Sequence, residues 1–76
     1  MTYEEFITEL WKLVSACPKS WRKGQKVFNV IDENWGVARY VQMIDGVDCF
    51  YTNDDDEIQN FINHAWVRLC DQMNQA

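Results

Sequence analysis

A chain of 76 residues with twelve acids, seven bases and a formal net charge of −5 is ill suited to non-specific nucleic-acid binding or to adhesion on anionic membranes. No apolar run approaches the roughly 20 residues that span a bilayer. The acidic, periodic N-terminus is the opposite of a basic secretory leader, so the expected compartment is the cytoplasm.

A single domain over residues 1–76 is near the lower size limit for folding on one core, and four Trp, four Phe and three Tyr supply the bulk it needs. Cys17, Cys49 and Cys70 are odd in number and widely spaced, which does not make a disulfide framework.

Residues 3–16 set Tyr3, Phe6, Ile7, Leu10, Leu13 and Val14 on the stripe of an amphipathic helix, and Cys17 continues it. Thr2 and Glu5 have capping-box spacing, and Glu4 and Glu5 suit the positive end of the helix dipole. Pro18 disfavours helical geometry at Cys17, which predicts the stop.

Ser20 is the expected cap of a second helix reaching about Asn34, with Gly36 as its left-handed C-terminal cap. Trp21, Phe28, Ile31 and Trp35 form its apolar face, with Gly24 and Val27 on the same side. Gln25 and Asn29 flank that face. Buried amides require partners, and the backbone of Asp48–Tyr51 would supply them; ligand or partner recognition is the alternative role. Val37, Val41 and Ile44 would line one side of a short helix over residues 37–44.

A second arrangement competes. KVFNVID and VARYVQMI are rich in strand-forming residues, and Asp45-Gly46 is a tight-turn signal. That reading gives an α+β protein: a helix, a three-stranded meander and a helix.

Residues 45–53 read as a loop anchored by Phe50 and Tyr51. Asn53 or Asp54 caps the final helix, whose first turn holds Asp55, Asp56 and Glu57. Its stripe is Ile58, Phe61, Ile62, Ala65, Leu69 and Met73, and Asn74 to Ala76 are expected to fray.

Chemistry is sparse. Cys17, Cys49, Cys70 and His64 number enough for zinc, but no two have the close spacing of a chelating corner. A Cys49–His64 nucleophilic pair would sit among aspartates that oppose a thiolate. The run Asn53 to Glu57 lacks the glycine and distal glutamate of a calcium loop. No catalytic residue, metal ligand or cofactor is assigned. Lys19, Arg22, Lys23 and Lys26 concentrate positive charge at the start of the second helix, whereas Asp45 to Glu57 is purely acidic.

The pattern Arg22-x-Gly24-Gln25-x-Val27-Phe28-Asn29, then Asp48-Cys49-Phe50-Tyr51, then acids and Ile58-x-x-Phe61, resembles a family of small uncharacterised proteins of phages, prophages and bacteria. The resemblance covers residues 22–61. It departs at Gly36-Val37-Ala38, where relatives often carry a proline-led helical segment. It implies helix over residues 20–44 and no activity, and it favours an all-α bundle of three main helices and one short one over the meander.

Three functions follow as expectations. The first is a non-enzymatic accessory factor of phage or prophage type that binds another protein or itself, because Trp11, Trp35, Tyr40 and Trp66 exceed what the stripes need; covering the edges of the small core is the alternative role of the tryptophans. The second is an acidic inhibitor that mimics nucleic acid through Asp54, Asp55 and Asp56. The third is weak nucleic-acid binding through Lys19–Lys26.

Overall fold

The computed structural model describes residues 1–74, and every regular element among them is helical. These are α1 (Tyr3–Ser15), α2 (Lys23–Trp35), α3 (Ala38–Tyr40), a π-turn (Val41–Asp45) that continues α3, and α4 (Asp55–Asn74). The segments proposed for the meander lie in α2 and in α3 with its π-turn, so the chain is all-α. The part of the expected fraying that falls after Asn74 lies outside the described residues.

Local chemistry sets the ends of α1. The Thr2 hydroxyl accepts from the Glu5 amide at 3.1 Å, and the Thr2 amide donates to the Glu5 carboxylate at 2.9 Å. The Thr2 amide bonded to it, with the Thr2 hydroxyl alongside, holds the Glu5 carboxyl below its usual range. The helix ends at Ser15, and the Ala16 and Cys17 amides turn back to Leu13 and Val14 carbonyls before Pro18.

The start of α2 differs from the expectation. Ser20 does not cap it; the helix begins at Lys23, after Arg22 in extended geometry. Its first amides are closed from a distant loop: Lys23 N–H donates to Asn53 Oδ1, and Gly24 N–H to the Thr52 carbonyl, each at 3.0 Å. At the other end Gly36 adopts φ 71° and donates to Ile31 and Asp32 carbonyls, as its sequence position predicts. Asn53 therefore serves α2, while the Asp54 carboxylate caps α4 by accepting from the Asp56 and Glu57 amides.

Phe6 and Leu10 of α1, Val27 and Ile31 of α2, and Phe61 and Ile62 of α4 are fully buried. Each such side chain contributes roughly 1.5–3 kcal/mol of transfer free energy. Trp35 meets Phe6 edge-on at 4.7 Å and Trp66 stacks on it at 5.5 Å, with Tyr3 edge-on to Trp66. The aromatic excess at α1 is thus a rim of half-buried indoles around one phenyl ring.

The π-turn corrects a further expectation. Val37 and Val41 point inward, but Ile44 does not. Gly46 N–H closes onto the Val41 carbonyl five residues back, so this turn holds one residue more than an α-turn. The inward place that an α-helix would give to Ile44 passes to Asp45. Met73, at the far end of the α4 stripe, is also exposed.

Candidate functional site

The motif residues meet at a joint between the first turn of α2 and the 48–53 loop. Gly24 is its hinge piece. A Cβ there would lie 2.6 Å from the Thr52 carbonyl oxygen and closer still to that of Cys49, so only glycine fits. The Gly24 carbonyl accepts from the Cys49 thiol at 3.3 Å. Burial, then the Asp48 carboxylate, pushes that thiol up to about 12. A thiol so rarely ionised is a poor nucleophile.

Phe50 packs edge-on against Phe28 at 5.5 Å, and Phe28 lies against Phe61. Asp48 turns the loop by accepting from the Phe50 amide and from the Gln42 side chain. Tyr51, expected as a second anchor, is exposed, with its ring edge-on to Phe50 and under Arg22. Gln25 and Asn29 are only half-buried, and the α2–loop bonds of this joint come from Lys23 and Gly24 main-chain groups. The glycine brings the two backbones close enough to bond directly. The amides are not needed as bridges.

The expected partner residues separate. Trp35 and Trp66 are half-buried against the core beside Phe6. Asp54 caps α4, Asp55 pairs with Lys23 at 2.5 Å, and Asp56 is exposed. Within the basic cluster, Lys23 also lies over the Trp11 ring. Among the described residues, no three His, Cys, Asp or Glu side chains gather as a metal-holding group. No helix of the described residues is long and apolar enough to cross a membrane.

Only Tyr40 of that set belongs to a second constellation, where the π-turn meets α4. Arg68 of α4 grips Asp45 with two nitrogens, Nε to Oδ2 at 3.2 Å and Nη2 to Oδ1. The Asp45 side chain is 10 % exposed, and the arginine holds its carboxyl below the ordinary range. His64 Nδ1 lies 3.4 Å from Asp45, and the Tyr40 ring covers the guanidinium at 4.7 Å.

Around this ionic centre stand large apolar side chains with little to cover them: Met43 is 78 % exposed, Ile44 64 %, Val67 55 % and Tyr40 48 %. An open cleft of about 360 Å³ adjoins the ion pair, lined by Asp45, Asn60, Asn63, His64, Val67 and Arg68. An aspartate already satisfied by arginine is a weak base. The arrangement is suited to holding a surface rigid rather than to moving protons.

Sequence reasoning missed Met43, Ile44, Val67 and the Asp45–Arg68 pair. The available signal was small: a Met-Ile pair immediately before Asp-Gly, read inward on an α-helical count. The chain matches no protein-family model, no curated protein sequence and no solved structure.

Proposed function

We propose that this chain is a non-enzymatic interaction domain that binds another protein through the face formed by Tyr40, Met43, Ile44 and Val67 around Asp45–Arg68. The observation that carries the reading is that Met43 and Ile44 of the π-turn, and Tyr40 just before it, are exposed next to the Asp45–Arg68 pair that ties this segment to α4, where Val67 is exposed as well. In a chain with so small a core, leaving a methionine and an isoleucine in water forgoes stability. Apolar patches rimmed by polar groups characterise contact surfaces. Tyr over Arg at the centre supplies the residue types that dominate binding energy at interfaces.

The acidic-mimic reading draws less support, because the exposed Asp54 and Asp55 carboxylates are already engaged, by the first amides of α4 and by Lys23. Affinity capture from nuclease-treated bacterial lysate tests both. The tagged protein is compared with a Met43→Gln/Ile44→Gln variant and with a variant carrying lysine at positions 54, 55 and 56. Loss of a stoichiometric partner in the first variant alone supports the proposal. Loss in the charge-reversed variant alone transfers the function to the acidic run.

A further inference from the structure

We infer that the Asp45–Arg68 pair is a latch on a turn with two registers. Closed, it holds the π-turn wide and presents Ile44 to solvent; open, the segment relaxes to an α-turn that carries Ile44 off the surface. The consequence for binding rests on the interaction reading, whereas the latch itself does not.

Three features of the wide register are unfavourable by themselves. A π-turn is a rare geometry, and residues 38–45 contain neither Pro nor Gly to impose one. Ile44 stands in water beside Met43. Asp45 carries a carboxylate into a place that leaves it only 10 % exposed. One interaction offsets all three: Arg68 holds both carboxylate oxygens, and His64 Nδ1 lies 3.4 Å from Oδ2.

The narrower register is within reach of the same chain. The segment enters as α-helix, with Val41 N–H on the Val37 carbonyl at 3.1 Å, and the buried Val41 is the pivot. Ile44 is three residues further on, and an α-helical count puts it on the same inward side. In the wide register the Val41 carbonyl accepts from Gly46 and, at 3.3 Å, from Val47. An α-turn would give that carbonyl to the Asp45 amide and move the Gly46 amide to Gln42, so the Gly46 bond is exchanged rather than lost.

The surroundings permit the exchange. A Cβ on Gly46 would meet nothing within 4 Å, and glycine is free in φ, so the chain after the turn has room to take up one residue. Arg68 is not stranded either: Asp71 lies 3.7 Å from its Nη1, and the Tyr40 ring covers the guanidinium.

Methyl NMR spectra of the full chain, labelled at its isoleucines, test the latch without any partner. A soluble gadolinium chelate should broaden the Ile44 methyl strongly and spare Ile31 and Ile62, which are buried. In Asp45→Ala, with no carboxylate left to hold, the Ile44 broadening should fall about threefold or more as the population moves to the α-turn. His64→Gln/Arg68→Met removes both partners of Asp45 and should give the same fall. Continued protection of Ile31 and Ile62 reports that each variant is folded. If the double variant unfolds, Asp45→Ala, which leaves no unpaired carboxylate, decides alone. A folded variant whose Ile44 is broadened as fully as in the unaltered chain overturns the latch.

Lysate capture with the same Asp45→Ala protein separates the two readings. If Ile44 is withdrawn and the partner is nevertheless retained, the latch stands and the interaction reading fails. If Ile44 stays exposed and the partner is retained, the latch fails and the interaction reading stands.

Discussion

The two ends of α2 solve the same problem in opposite ways. At its beginning, a loop 25 to 30 residues downstream closes the helix: Asn53 and Thr52 accept its first amides, and Cys49 donates to Gly24. Apolar groups there, Phe28 and Phe50, face each other. Beyond its far end, the chain makes one α-turn and one π-turn and is tied to α4 by the Asp45–Arg68 ion pair. Apolar groups there, Met43 and Ile44, face water. The lesson is about surplus. The aromatic-rich composition offers the tryptophans either as exposed partners or as cover for the core's edges; Trp11, Trp35 and Trp66 pack half-buried against the core, and the exposed surplus appears where the helix period changes.

Substitutions can break this contrast, beginning with the joint. Gly24→Ala forces a methyl into the Cys49 and Thr52 carbonyls and is expected to cost about 3 kcal/mol. In so small a domain that is a large fraction of the stability, and a urea titration followed by Trp fluorescence should show a much lower midpoint. A midpoint near that of the unaltered chain would mean that the loop can lift off α2 cheaply. Asn53→Ala removes only the long-range cap and should cost about 1 kcal/mol. The same titration reads it, and Ser20→Ala, at the position that does not cap, should be close to silent.

The two regions also respond to pH with opposite sign. Cys49 has a folded-state pKa raised from its ordinary 9.0 to about 12. Its contribution is complete below the ordinary value, where both states keep the proton. It declines as pH rises above 9.0, where the unfolded chain ionises first, and it is gone once pH has passed through the folded value. Asp45 is lowered from 3.8 by Arg68, so its contribution is present above 3.8 and lost as pH falls through the lower folded value. Urea midpoints measured against pH should therefore fall less on the alkaline side in Cys49→Ala and less on the acid side in Asp45→Asn. An unchanged profile in either variant would remove that group from its region's account.

How much of this was legible depended on whether the signal was local. The α1 capping box, the Gly36 terminus and the apolar stripes of α1, α2 and most of α4 are short-range patterns, and the structure realises them. The start of α2 is not legible locally, because its cap comes from Asn53, 30 residues away, and no window around Ser20 contains that information. Gln25 and Asn29 looked like the bridge to the loop, but the missing side chain of Gly24 lets backbones meet instead. A period of 3.6 turns Ile44 inward, and a single wider turn exchanges it for Asp45. That exchange created the candidate face, and nothing in residues 37–46 alone announces Arg68 as its partner.

The division of labour between the two ends rests most directly on Met43→Gln/Ile44→Gln, measured twice on one preparation: urea midpoint, then retention of the captured partner. Exposed sites should move stability by no more than about 0.5 kcal/mol. The account predicts a midpoint within that range and loss of the partner. A partner retained at full stoichiometry by the folded variant would contradict it and return the exposed methionine and isoleucine to incidental surface.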